Sequence, residues 1–462
     1  MHRFVVPFIF IFLLILPVGS YAPVLNGAEK GPPRKTGVKV MPGTKPSKER
    51  PAAKATPVET SPPPKGVGIE ASPGHIDARS AMIVETHTGS TLLEYNADET
   101  IEPASFTKVL TLYLVFEALR EGRVRLSDEL WISEAAWRTG GSKMFVGMGT
   151  KVPLEELIKG ITVVSGNDAC VAVAEHLNGS VESFVNAMNV KAKELGMTRS
   201  HFMNPHGLPA EGQVTTARDM AKLGSSYLRS FPEAIRYHSI REYTYNNITQ
   251  YNRNHLLLKD PSVDGLKTGF VGAAGYHLSA TAQREGMRLL AVVMGAATPG
   301  AREREALKLL NFGFRNYAFV QPFPEGQPVG AIRVWKGEKD AVNLYPQELP
   351  GFPIAQTQRN TLKWEVRTLG EITAPVSQNQ PLGELVFLVS DVSQKSIPLV
   401  SREEIPLGGV FKRMWHSVRQ IHKLDWRWVA ALLGFLGTIA LVGLLVSNRQ
   451  SLFKRSRSPY GR

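Results

Sequence analysis

Residues 105–120 read SFTKVLTLYLVFEALR, and the fold turns on how that stretch is taken. It spells a helix that is apolar on most of its faces, too greasy to lie on a surface, and Gly122 just past its end supplies a stop. A buried helix needs elements to cover it. Upstream, Met82-Ile83-Val84 and Thr91-Leu92-Leu93 flank His87-Thr88-Gly89-Ser90 and read as a hairpin. Downstream, Glu155–Ile161 and Asp168–Leu177 read as further helices. After Gly269 come two strand-like runs, Tyr276–Ala282 and Met287–Met294, turning at Glu285-Gly286, and then a helix over Ala301–Phe314. Strands near both ends with helices between them predict an α/β (α+β) fold: an antiparallel sheet joining the two ends, with a helical lobe inserted. From 319 to 406 only short runs remain, such as Val329–Val334, Leu362–Arg367 and Leu385–Val389, so a small all-β domain is expected there.

The chain has 462 residues, 43% hydrophobic and 21% charged, values that exclude wholesale disorder, collagen and coiled coil. A single cysteine excludes a disulfide framework and a Cys-ligated metal site, and the 11 histidines show no ligand spacing, so neither metal nor cofactor is expected. The net charge of +13 suggests nucleic acid until it is located. Residues 23–75 carry +5, residues 409–462 carry +9 and Arg3 one more, which leaves −2 for residues 76–408. Electrostatic capture of a polyanion is therefore not the body's chemistry.

The ends explain the basic charge. Arg3 followed by the apolar run Phe4–Leu16 resembles an export signal, predicted over 1–22, with a retained N-terminal anchor as the alternative. Residues 23–75 hold 11 of the 31 prolines and no Phe, Trp or Tyr, the composition of an extended tether. Near the C-terminus Phe411, Met414, Trp415, Val418 and Ile421 recur at helical spacing among Lys412, Arg413, Arg419 and Lys423. That pattern predicts an amphipathic helix against a membrane over 407–427. Trp428–Val446 is uncharged, so 428–447 is expected to cross the cytoplasmic membrane, with 448–462 as a basic cytoplasmic tail and the body, 76–318 and 319–406, on the extracytoplasmic (periplasmic) side.

Three short strings carry chemistry: Ser105-Phe106-Thr107-Lys108, Ser165-Gly166-Asn167 and Lys267-Thr268-Gly269, separated by 60 and 102 residues. Spacing i, i+3 on a helix sets the Ser105 hydroxyl and the Lys108 amine on one face. A serine is a poor nucleophile until a base takes its proton. A lysine serves if burial and a neighbouring positive charge lower its pKa, and Lys267 would be that charge. A helix starting at Ser105 would also aim backbone N–H groups at the reacting centre. Singly each string is weak; in this order and spacing they are strong.

The three strings resemble the S-x-x-K, S-x-N and K-T-G motifs of the penicillin-recognising serine enzymes. Their flanks, Glu102-Pro103-Ala104, Asp168-Ala169-Cys170 and Asp264-Gly265-Leu266, resemble low-molecular-mass penicillin-binding proteins, the D-alanyl-D-alanine carboxypeptidases, as do Asn204-Pro205-His206-Gly207-Leu208, Ala217-Arg218-Asp219-Met220-Ala221 and Ala273-Ala274-Gly275-Tyr276. The likeness runs from about Ala78 to Ala318, and the β-rich stretch and Gly408-Gly409-Val410-Phe411 share it. The proline-rich stretch and a full spanning helix depart from it. The resemblance implies that Ser105 attacks the penultimate D-alanine of a peptidoglycan pentapeptide, with Lys108 as base. Ser105 and Phe270 N–H groups would form the oxyanion hole, Ser165 would relay a proton to the leaving D-alanine, and Asn167 would hold Lys108 and the substrate amide. Lys267 would tune the site's charge, while Thr268, with Arg253 and Arg302, would receive the terminal carboxylate, and Gly269 also belongs to the substrate-binding set. β-Lactams would act as inhibitors on the same serine. His206 and Asp219 read as a structural pair and Cys170 as a small buried helix residue. Competing readings are a class A-type β-lactamase, for which the Glu-x-x-Leu-Asn stretch is missing, a D,D-endopeptidase, and a non-catalytic wall-binding scaffold.

Overall fold

The computed structural model describes residues 72–420 and 426–455, with the side chains of the last helix described only in part. The predicted export segment, all but the last four residues of the proline-rich stretch, and the end of the basic tail lie outside the described residues.

The expected hairpin forms as β1 (Ser80–Glu85) and β2 (Thr91–Tyr95). A 3-10 turn, Ala104–Phe106, then leads into α1 (Thr107–Arg120), so Ser105 sits in that turn rather than at the α-helix start. Ala104 is in the left-handed region at φ 48°, which breaks the helical path at this point. Eleven of the fourteen α1 residues are buried, as the apolar run requires. The lobe around it is built from α2 (Leu154–Thr162), α3 (Asn167–Asn178), α4 (Val181–Glu194) and α5 (Ala217–Ser230). The chain returns as β3 (Val263–Val271), β4 (Gly275–Arg284), β5 (Met287–Ala296) and α6 (Pro299–Asn316).

These strands make one antiparallel sheet in the order β2-β1-β5-β4-β3, which joins the early hairpin to the late strands as expected. Period-2 alternation divides it. Leu290, Val292 and Met294 of β5 pack with α1 and α5, while Leu289, Ala291 and Val293 pack under Leu309 and Leu310 of α6. Helix α6 starts two residues before its expected start because the Thr298 hydroxyl accepts the Ala301 N–H at 3.0 Å and Pro299 takes the first turn. β3 is a correction to the sequence reading, which began the strands after Gly269. Gly265 and Gly269 dilute its apolar pattern, yet Lys267-Thr268-Gly269 lies inside this edge strand.

The C-terminal region is all β, as expected. β6 (Tyr317–Val320) pairs with β9 (Phe352–Ala355). β7 (Gly330–Trp335), β8 (Ala341–Pro346), β10 (Leu362–Thr368), β11 (Ile372–Thr373), β12 (Pro381–Val389) and β13 (Val392–Val400) form a sheet in the order β10-β12-β13-β8-β7-β11. Val334, Leu344, Leu385, Phe387, Ile397 and Leu399 fill its core. α7 (Val410–Gln420) docks its polar face on this domain. The His416 ring Nδ1 accepts the Lys336 N–H at 2.8 Å, and Lys412 donates to the Glu338 carbonyl at 2.7 Å and pairs with Asp340. Phe411 and Met414 point away and are exposed. α8 (Trp426–Arg455) is one 30-residue helix over the expected spanning stretch. Its side chains are described without a break only from 433 to 445, and among the described residues no helix is long and apolar enough to cross a membrane.

Candidate active site

Ser105 is half-buried at the surface end of α1, and Lys108 lies beneath it, fully buried. Lys108 Nζ is 3.0 Å from Ser105 Oγ, 2.7 Å from Asn167 Oδ1 and 2.5 Å from the His206 carbonyl oxygen. A neutral amine has two N–H donors and one lone pair. Here the two carbonyl oxygens take the donors, which turns the lone pair toward the Ser105 hydroxyl. Burial pushes the Lys108 pKa down to about 8, with Arg253 adding to the shift while Cys170 and Asp168 oppose it. Lys267, the neighbouring charge expected from the sequence, couples to Lys108 electrostatically, and the guanidinium of Arg253 acts on both lysines. Lys267 itself is 3% exposed, donates to the Thr268 carbonyl at 3.1 Å, and is pushed well below the ordinary lysine range by burial first and then by Lys108 and Arg253.

Two loops make this possible. In the first, Asn204 Oδ1 accepts the Gly207 N–H at 2.7 Å and Pro205 O accepts the Thr111 hydroxyl at 2.6 Å, which presents the His206 carbonyl to Lys108. Gly207, at φ +87°, passes so close to the nucleophile's turn that a Cβ there would lie 1.8 Å from the Ala104 carbonyl oxygen. The His206 ring takes no part in the base contact: burial pushes its pKa down to about 3, so it stays neutral. Nor does it pair with Asp219, which accepts from the Arg199 N–H and the Ser200 hydroxyl instead, correcting the pairing read from sequence.

The second loop belongs to Ser165-Gly166-Asn167, at the entry to α3. Asn167 holds Lys108 through Oδ1 and donates Nδ2 to the Gly140 carbonyl at 2.7 Å. The next residue, Asp168, is buried and collects the Met144, Phe145 and Val146 N–H groups, fixing the loop that carries Gly140. Ser165 is in the left-handed region at φ 62°, and among the described residues its buried hydroxyl has no hydrogen-bond partner. Cys170 is a buried α3 residue, as expected; its thiol donates to the Gly166 carbonyl, and burial raises its pKa to about 12.

β3 forms the opposite wall. It packs against the Ala104–Phe106 turn so closely that a Cβ on Gly269 would lie 3.2 Å from that of Ala104. Behind it, the His277 ring lies between the Glu102 carbonyl at 3.0 Å and the Gly295 N–H at 3.0 Å, and burial lowers its pKa to about 4. A second buried histidine, His238, is lowered to about 4 by burial; its Nδ1 donates to the Leu266 carbonyl at 2.8 Å and its Nε2 meets the Tyr227 hydroxyl. Neither histidine stood out in the sequence, since a buried neutral imidazole leaves no local pattern. Of the two expected arginines, Arg302 donates to the carbonyls of Gly269 at 3.3 Å and Arg253 at 3.3 Å, from the flank of β3. Arg253 is exposed, and among the described residues its guanidinium has no hydrogen bond or ion pair. The structure thus brings Ser105, Lys108, Asn167 and the β3 motif into one cleft lined by unpaired or desolvated positive charge.

Comparison with known proteins follows the same division. The D-alanyl-D-alanine carboxypeptidase family pattern matches residues 67–298, and that of the penicillin-binding protein 5 C-terminal domain matches 317–407. The chain is 40% identical to D-alanyl-D-alanine carboxypeptidase DacC of Escherichia coli over 351 residues, covering 74% of this chain and 88% of that protein. It is 37% identical to DacF of Bacillus subtilis, covering 72% and 87%. Among solved structures, penicillin binding protein 5 from Haemophilus influenzae superposes with a TM-score of 0.67 at 35% identity, over 73% of this chain and 99% of that one.

Proposed function

The chain belongs to the D-alanyl-D-alanine carboxypeptidase family, and on that premise we propose how its own residues carry the reaction on peptidoglycan pentapeptides. One observation carries the reading: a fully buried Lys108 whose two carbonyl partners leave its lone pair facing Ser105. With its pKa near 8, about one Lys108 in ten is neutral at pH 7, enough to serve as base. It takes the Ser105 proton as Oγ adds to the carbonyl of the penultimate D-alanine. The oxyanion forms against the N–H groups of Ser105 and Phe270, which cost no reorganisation because the turn and β3 are already packed together. The proton passes to the departing D-alanine through Ser165, whose hydroxyl has no competing partner among the described residues. Water then cleaves the Ser105 ester and regenerates the enzyme.

The terminal carboxylate pairs with Thr268 and Arg253, drawn in by the Lys108–Lys267–Arg253 charge cluster. Arg302 positions the site through the Gly269 carbonyl, and Lys267 tunes its charge. A β-lactam opens by the same addition to Ser105, and the penicillin-binding relatives support that reading. We also read residues 1–22 as an export segment and 428–447 as a span of the cytoplasmic membrane, with 76–406 outside; the uncharged run at 428–446 between tryptophans and basic residues supports it.

Two measurements test these points. The full chain in detergent should release D-alanine from a muramyl-pentapeptide mimic, and Ser105→Ala should release none and take no penicillin label. Penicillin labelling of Ser105 without D-alanine release would replace this reading with an endopeptidase. For the anchor, the full chain should stay in the membrane pellet after alkaline extraction, and a chain ending at 425 should leave it.

A further inference from the structure

Phe270 enters the reaction above only through its backbone N–H, yet its ring is 54% exposed beside the site. Its surroundings are ordered. The ring stacks on Tyr276, its cross-strand partner, with centroids 4.4 Å apart and planes at 28°. On Tyr276 in turn lies the Arg302 guanidinium, 5.7 Å from the ring centre. The outer face of Phe270 ends this three-tier stack.

Strand alternation says where that face looks. The cross-strand partner of Gly269 is His277, which touches Phe106 on the α1 side of the sheet. The partner of Thr268 is Leu278, which belongs to the core beneath α6, and Tyr276 packs against that same core. Thr268 and Phe270 therefore share the face away from Lys108, the flank where Arg302 reaches the backbone of Arg253.

We propose that the open face of Phe270 is the wall of the leaving-residue subsite, and that it selects terminal D-residues with small or apolar side chains. The inference rests on the carboxypeptidase reading, since it takes Thr268 and Arg253 as the carboxylate's partners. With the carboxylate held there, the side chain of the departing residue lies against the ring: a methyl gains apolar contact, and a charged side chain is desolvated against an aromatic face. Arg302 holds both the stack and the Gly269 carbonyl, so the wall and the strand bearing the oxyanion N–H move together.

The test is kcat/KM of the full chain on peptides differing only in the last residue: D-Ala, D-Leu, Gly and D-Lys. Losing the contact with one methyl is about fourfold, and with a leucine side chain about tenfold or more. Phe270→Ala should lower the D-Ala/Gly ratio about fourfold and the D-Leu/Gly ratio about tenfold. Phe270→Leu should hold both ratios within twofold, and Phe270→Asp should raise D-Lys over D-Ala. Ratios equal to wild type in all three variants overturn the proposal, whatever happens to the absolute rates. Should Phe270→Ala be too weak to assay, the same ratios in the Leu and Asp variants decide. A wild type that releases none of the four residues sinks the carboxypeptidase reading itself, and this inference with it.

Discussion

The peptidase body and the β-rich domain are built on opposite principles. The body buries Lys108, Asn167, Asp168, Lys267, His277 and Arg302, while among the described residues from 317 to 407 only Ser401 is a buried polar side chain. Burying an ion costs several kcal/mol unless partners offset it, so the β-rich domain has the composition of a region selected for stability, and the body does not. The backbones differ the same way. Left-handed non-glycine residues in the β-rich domain include Ser390 and Asp391, the two-residue turn joining β12 and β13, where such geometry is ordinary. In the body, Ser165 adopts it within a catalytic string and Ala104 immediately before another. Desolvated charge and strained backbone coincide in one domain because a lysine works as a base only where water is excluded.

The sharpest way to break the comparison is Lys108→Ala. Removing the base should lower acylation of Ser105 about a thousandfold, measured by penicillin labelling rate, while the melting temperature changes little because a desolvated cation goes with it. A large loss of stability instead would show that the lysine is structural. Its mirror in the other domain is Leu385→Ala, at a fully buried position. That cavity should cost about 3 kcal/mol in denaturant unfolding of the β-rich domain and leave D-alanine release unchanged; a matching fall in release would mean the two regions act as one.

Acid should separate the domains next. His238 and His277 have folded pKa values lowered to about 4, against about 6.5 when free. A lowered pKa means that the unfolded chain binds more protons between these values. Their contribution is therefore whole above pH 6.5 and lost as pH falls toward 4, up to roughly 3 kcal/mol for each histidine. Unfolding followed by hydrogen exchange should show the body weakening over that window before the β-rich domain does. The smallest effect is a slope: kcat/KM should rise about tenfold per pH unit below the Lys108 value of about 8 and level off above it. A flat profile from pH 6 to 8 would remove Lys108 as the base.

Much of this was legible in the sequence, and the misses have physical reasons. Side-chain periodicity exposed α1, the β1–β2 hairpin and α6, because apolar spacing records burial directly. The three motif strings meet because the turn before α1, the entry to α3 and the edge strand β3 pack against one another around Lys108. β3 escaped because Gly265, Lys267 and Gly269 interrupt the pattern of a strand whose edge is given to the site. The action of Arg253 on Lys108, added to the coupling with Lys267, was not legible because sequence offers no distances. The His206 carbonyl and the Gly140 carbonyl are backbone groups, and no residue type announces them.

Ser165 holds its hydroxyl where it does only by accepting a backbone conformation that L-residues avoid, at a cost of order 1–3 kcal/mol. Glycine at that position would relax the chain and remove the hydroxyl in one step. The most stable sequence and the most active sequence therefore differ at this residue. Selection for heat resistance alone, in a laboratory library or a warming habitat, would drift toward a sturdier protein that no longer turns over, unless activity is screened in the same round.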